Sequence, residues 1–319
     1  MSNSSTGSSE QRTARRFAAV VGAGVVLFLV VMELLLRLLV VPVEQGWAHR
    51  VDLVYRAEGA DVILGDSHTF RGFVTQDQFV NLSGGGSSAQ ANEIVAREYF
   101  RHRDPGRVIQ GASPQFFNGV REVAGAQQHD QYFVWNWGLP FRPYVFEPGV
   151  ARHVGELLDP ADLLARAREA RERKSPGNRF DFLLQREMLE RGADAREVLA
   201  KRIVRKNRPV EAFRGSESWA AYRRTAEWLT LHGARLCMIR TALTPRVEQL
   251  STEDPRHVEA HEALRALARE VGAQYVDYRD LGIDFGEEHF IDPDHLTASG
   301  AELFAAGMIR ACYGEAPVL

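Results

Sequence analysis

Three stretches of this 319-residue chain carry side chains whose types and order could do nucleophilic chemistry. In the first, Val62-Ile63-Leu64 runs straight into Gly65-Asp66-Ser67, and polar residues follow. This reads as a buried parallel strand ending in a tight turn with a serine at its tip, and Gly65 lets the chain bend there. A helix starting near Thr69 would aim free backbone N–H groups at an anion forming beside Ser67. Asp-Ser ahead of a helix is equally the composition of a plain N-cap. A serine hydroxyl is unreactive without a base in hydrogen-bond reach. Among the ten histidines, His295 stands out, because it follows the last expected strand and precedes the last expected helix. Asp292, three residues before it, could orient the imidazole and stabilise its charged form. Asp294 is an alternative orienter, but as an immediate neighbour it is expected to point away. His295 could also simply pack at the N-terminus of the helix that follows.

The elements needed to position these groups can be read from the pattern. Phe79 to Leu82 is a short strand leading into Ser83-Gly84-Gly85-Gly86-Ser87-Ser88, a loop whose backbone can approach a ligand closely. Ala89 to Arg101 follows as a helix. Arg107 to Gln110 is a third strand, ending in Gly111-Ala112-Ser113-Pro114. Strand, Gly/Ser turn and helix recur in that order, which predicts a three-layer α/β/α domain around a mostly parallel sheet. Further on, Ser216 caps a helix to His232, and Arg235–Ile239 is a buried strand ending at 241–245. A helix runs from about Asp254 to Val271, Gln274–Tyr278 is the last strand, 290–296 is a loop, and Thr297–Cys312 closes the domain as a helix. In a parallel sheet the loops at the strands' carboxyl ends gather along one edge, so Ser67 and His295 are expected to meet there.

Composition bounds the rest. A net charge of −3 gives no overall attraction to nucleic acid, and 45% hydrophobic with 25% charged residues is ordinary for a globular protein. Two cysteines, Cys237 and Cys312, are too few for a disulfide framework. They could pair in an oxidising compartment, but two buried free thiols are the expectation. Residues 1–16 are Ser-rich and then basic, and read as a disordered tail. Residues 17–43 are apolar except for Glu33 and Arg37, long enough to span a ~30 Å hydrocarbon core. No small-x-small site follows before Pro42, which favours an anchor over a cleaved signal. Arg12, Arg15 and Arg16 favour a cytoplasmic N-terminus, with a linker over 44–60 and the globular part from 61 outside the cytoplasmic membrane. The aromatic run over 131–146 packs a loop or stacks on sugar rings. A helical insertion spans about 147–214; its 152–214 part holds 16 Lys/Arg against 11 Asp/Glu, a solvated face or one that meets lipid headgroups or an anionic polymer.

Taken together, the three stretches resemble the SGNH (GDSL-type) hydrolase superfamily over about 60–118 and 216–313. Gly65-Asp66-Ser67 resembles its first block, with Ser67 as nucleophile and one oxyanion N–H donor. Asn81-Leu82-Ser83-Gly84-Gly85-Gly86 resembles the second, with Gly86 as another donor. Asp292-Pro293-Asp294-His295 resembles the fifth, Asp-x-x-His. The third block departs: Ser113 stands where an asparagine is expected, with Asn118 as a less apt substitute. Losing one such donor typically costs ~2.7–4 kcal/mol of transition-state stabilisation. The resemblance implies a flavodoxin-like sheet and a serine esterase or O-acyltransferase, with Ser67, His295 and Asp292 as its triad and no cofactor. The substrate would be an acylated polysaccharide, glycolipid or other ester. The single anchor is similar to that of envelope proteins working beside an integral-membrane O-acyltransferase. A non-catalytic binding or scaffold protein on the same fold is the alternative. Asp66-Ser67-His68 also spells the Asp-x-His of alginate-type acetyltransferases, but there the serine lies elsewhere. No His-x-His or His-Glu-x-x-His spacing occurs, and His289 with His295 and Asp292 makes a poor metal set without a fourth partner.

Overall fold

The computed structural model describes residues 7–36, 50, 53–55, 57–73, 78–123, 158–159, 164 and 192–314. The expected linker over 44–60 falls mostly outside them, as do the aromatic run over 131–146, the last residues of the apolar segment and most of the helical insertion. The chain divides into two compact units, residues 1–49 with 141–173, and residues 50–140 with 174–319.

In the first unit, helix α1 spans Gly7–Leu35. Its stretch Arg15–Leu35, 21 residues with a mean hydropathy of 2.6, is long and apolar enough to cross a membrane. Phe17, Val20, Val26 and Leu27 are exposed, while Met32 and Glu33 near the helix's C-terminal end are buried. The basic stretch read as a disordered tail is helical from Gly7 onward. Elongation from an existing apolar helix adds one hydrogen bond per residue fixed, so the nucleation cost that a free tail would meet does not arise.

The second unit is built on a five-stranded parallel sheet in the order β2-β1-β3-β4-β5. Its strands are β1 (Val62–Leu64), β2 (Val80–Asn81), β3 (Arg107–Gly111), β4 (Arg235–Arg240) and β5 (Gln274–Asp277). All four pairings are parallel. Ile63, Ile109, Cys237 and Ile239 share a buried cluster with Phe304, Ala305 and Met308 of the last helix, α8 (Ala298–Tyr313). Their strand neighbours Val62, Leu64, Val108, Leu236 and Met238 point the other way and are equally buried. The sheet is therefore covered on both faces, which is why its strands read as unbroken apolar runs.

The helices begin where short polar side chains can accept from free N–H groups. Ser88 starts α3 (Ala89–Tyr99), Ser216 starts α5 (Glu217–Leu231), Asp254 starts α7 (Pro255–Val271) and Thr297 starts α8. Two elements differ from the sequence pattern. Pro245–Glu253, for which the sequence pattern assigns no element between the strand end at 241–245 and the helix from Asp254, forms helix α6, with Pro245 in the first turn where a missing N–H costs nothing. The loop over 290–296 is an antiparallel hairpin of β6 (Phe290–Asp292) and β7 (His295–Leu296), too short for a periodic signal. Of the basic insertion, Ala193–Asn207 is described, as helix α4.

Cys237 and Cys312 are joined in a disulfide between β4 and α8, with Cα atoms 5.8 Å apart. This corrects the expectation of two free thiols. Positions 75 residues apart in sequence are brought together by packing α8 on the sheet, which no local pattern reveals.

At the end of β5, buried Asp277 accepts from Arg240 (3.2 Å), Arg265 (2.8 Å) and Arg279 (2.6 Å). Burial would raise its pKa, but the Arg279 bonds and the Arg240 charge hold it well below the usual carboxylate range. Asp277→Asn leaves these guanidinium groups without their anion and is expected to destabilise the domain by about 3 kcal/mol, read as a lower denaturant midpoint at unchanged slope.

Candidate functional site

β1 lies between β2 and β3, so the chain leaves β1 to one side and returns on the other. The crevice at such a reversal, outside the carboxyl ends of the strands, is where doubly wound sheets place ligands. Three segments meet there. The β1 turn leads into α2 (Ser67–Gly72), so the helix starts at the serine itself rather than near Thr69. Asp66 is the cap, accepting from the His68 N–H at 3.0 Å. The glycines on either side admit this helix closely: a Cβ on Gly65 or on Gly111 would collide with Thr69. The post-β2 loop continues beside the turn, with the Leu82 N–H donating to Ile63 O (2.8 Å) and the Gly84 N–H to Gly65 O (3.2 Å). The β6–β7 hairpin is tied to the loop after β4 by the Thr244 hydroxyl, which donates to Pro293 O at 2.8 Å.

These anchors bring Ser67 and His295, 228 residues apart, together: Ser67 Oγ lies 2.9 Å from His295 Nε2. On the other side of the ring, Nδ1 lies 2.9 Å from Asp292 Oδ2 and 3.0 Å from Oδ1. Asp292 Oδ1 also accepts from the backbone N–H groups of His295 (2.8 Å) and Asp294 (3.0 Å), which fixes the hairpin turn. Burial works against a charged His295, but hydrogen bonds to Asp292 and Asp294 overcome it, and its pKa is pushed up to about 9. The arrangement can take a proton from Ser67, hold it as an imidazolium and return it.

The remaining expected residues are placed as follows. Gly86 is exposed in the post-β2 loop at φ +73°, a left-handed conformation that favours glycine, and a Cβ there would lie 3.4 Å from the Arg121 guanidinium. Ser113 is half-buried and lines a small cavity with His68 and Gln115. Asn118 is buried and already engaged, its amide donating to Lys206 O (3.1 Å) and its oxygen accepting from the Arg121 N–H (2.8 Å). Its place is to fix the segment after β3 against α4.

Sequence reasoning left out a buried extension of this set. His68 stacks on His295 with ring centroids 4.6 Å apart and planes within 10°. Its Nε2 lies 3.1 Å from Asp294 Oδ2 and its Nδ1 3.4 Å from Asp66 Oδ1, while Gln115 bonds Asp66. Burial would lower its pKa, but Asp66 and Asp294 raise it to about 10. Asp294, expected to point away, turns inward and also lies 3.3 Å from His295 Nδ1. Asp292 and His295 pair across the hairpin, so Asp294 sits in the turn, where strand alternation does not govern its direction. Donor atoms of His68, Asp294 and His295 fall within 4.8 Å of one another, but each already faces an acid–base partner, as in a proton-handling cluster.

No family model matches this chain, and no curated protein matches it.

Proposed function

We propose that this chain is a serine-dependent acyl-transfer protein of the SGNH type, an esterase or O-acyltransferase. The observation that carries the reading is the linear contact of Ser67 Oγ, the His295 imidazole and Asp292, each step at 2.9 Å. Ser67 Oγ attacks an ester carbonyl while its proton moves to His295 Nε2. The backbone N–H groups of Ser67 and Gly86 receive the oxyanion, and His295 protonates the departing alkoxide. Water then releases the acyl group in an esterase; a sugar or polyol hydroxyl accepts it in a transferase.

The setting rests on separate grounds. A helix able to span a membrane, preceded by arginines, supports a single-pass anchor with a cytoplasmic N-terminus. A disulfide in the domain's core supports an extracytoplasmic compartment, where such bonds persist. The substrate proposed is therefore an acylated envelope polysaccharide or glycolipid, in reach of an integral-membrane O-acyltransferase. A scaffold reading on the same fold draws on Ser113 in the asparagine position and on the engaged Asn118 amide. Labelling with a serine-reactive fluorophosphonate, followed by peptide mass spectrometry, separates the two. The acyl-transfer reading expects a single adduct on Ser67, absent from His295→Ala; an unlabelled wild type would favour the scaffold.

A further inference from the structure

A serine triad uses one carboxylate to hold its histidine, and here two reach the same ring nitrogen. Asp292 makes the shorter contact with His295 Nδ1, 2.9 Å, but its side chain is 43% exposed, so water competes for it. Asp294 lies at 3.3 Å and is only 11% exposed, where a charge acts through a less polarisable medium. Its two oxygens are divided between two imidazoles: Oδ1 faces His295 and Oδ2 faces His68 at 3.1 Å. The parallel stacking of the two rings is what lets one carboxylate span them. The Asn207 amide of α4 adds a bond to Oδ2 at 3.3 Å. His68 is held in turn by Asp66, whose carboxyl is also kept low by the charge of Arg121.

We propose that Asp294 is a second positioning acid for His295, clamped in place by His68, so that the site runs on a pair of carboxylates. The proposal rests on the acyl-transfer reading. When His295 takes the Ser67 proton, its new charge faces two anions, while the fixed charge of His68, stacked on the ring, opposes protonation and keeps the base from becoming too strong. The pair shares the orienting task that a lone acid performs in other triads.

The kinetic signs follow from the charges. The base must be neutral, so kcat/KM in the wild type rises with pH through about 9. Burial lowers His295's pKa, the carboxylates raise it and His68 lowers it. Asp294→Asn removes a raising charge, so its limb moves to lower pH. His68→Gln removes a lowering charge, so its limb moves to higher pH. The other charged groups facing His68 are Asp66, with Arg121 behind it, and Arg240, His257 and His261 across the small cavity. Burial holds His257 and His261 below the usual range, so neither supplies a competing charge near the limb.

The test measures kcat, KM and pH profiles for Asp292→Asn, Asp294→Asn, the double variant and His68→Gln, with the ¹⁵N-histidine NMR titration of His295 in each. The expected result is a loss in kcat of about 10–100-fold for either single asparagine variant. The double loses about 10⁴-fold, the usual effect of removing a triad acid's charge, and the limbs shift in opposite directions for Asp294→Asn and His68→Gln. A 10⁴-fold loss for Asp292→Asn alone, with an unshifted limb and an unshifted His295 titration in Asp294→Asn, overturns the proposal. If the wild type turns over no ester, it is the acyl-transfer reading that fails, and the NMR titration still decides whether Asp294 and His68 govern His295.

Discussion

Ser67→Ala is expected to lower kcat for a chromogenic acetyl ester by about 10⁶-fold, with KM changed only a few-fold. The hydroxyl is the atom that forms the covalent bond, and nothing else among the described residues is placed to replace it: the 2.9 Å contact of His295 Nε2 goes to Ser67 Oγ, while His68 turns both ring nitrogens toward carboxylates. His295→Ala is expected to lose a similar amount, and the double variant no more, because a nucleophile without its base and a base without its nucleophile are equally inert. The substitution should leave the fold intact. Ser67 is the first residue of α2, and the capping acceptor is Asp66, which the alanine variant retains. An unchanged denaturation midpoint therefore makes the activity loss a statement about chemistry. A Ser67→Ala protein with turnover within tenfold of wild type would sink the nucleophile assignment, and the scaffold reading would take its place.

The parts of the site that were legible in the sequence are those fixed by local chemistry. Gly65-Asp66-Ser67 follows a three-residue apolar strand, and the constraint on Gly65 is local, since Thr69 sits where its Cβ would go. The helix starts at Ser216, Asp254 and Thr297 were legible for the same reason: a cap satisfies N–H groups two or three residues away. What stayed hidden depends on packing between distant segments. The sequence singles out His68 only within Asp-x-His, and nothing local shows that it faces Ser67. It does not; it faces His295 and Asp294, which arrive from the far end of the chain. Adjacency to His295 argues for Asp294 pointing away, but the hairpin turn brings it back to the ring. Residues 245–253 carry only Val247 and Leu250 as apolar side chains, too few for a helical period to show in the sequence. A polar cluster assembled from four segments leaves no periodic trace, so buried charges are where a pattern-based reading runs out first.

Replacing Cys237 and Cys312 by alanine is expected to lower the unfolding free energy of the domain by about 4 kcal/mol. The cross-link closes a loop of 75 residues, and the chain-entropy account of such a loop falls between about 3 kcal/mol for a short one and 4.7 for one of a hundred residues. The position adds to the effect, because both cysteines lie in the cluster that joins β4 to α8, and α8 packs against α2 so closely that a Cβ on Gly72 would collide with Phe304. Loosening α8 thus loosens the element that begins with Ser67. Reduction of the wild type should give the same loss, seen as a lower guanidinium midpoint, and activity should fall at temperatures where the reduced domain begins to unfold. Thiol labelling under denaturing conditions supplies the second readout. Protein recovered from the cells that make it should label at neither cysteine until reduced, and protein made in a reducing cytoplasm should label at both. Free thiols in the protein from its own cells would overturn both the stability prediction and the proposed extracytoplasmic placement. Oxidised cysteines with an unchanged midpoint on reduction would leave the placement standing and show that packing of α8, rather than the cross-link, holds the edge on which Ser67 and His295 meet.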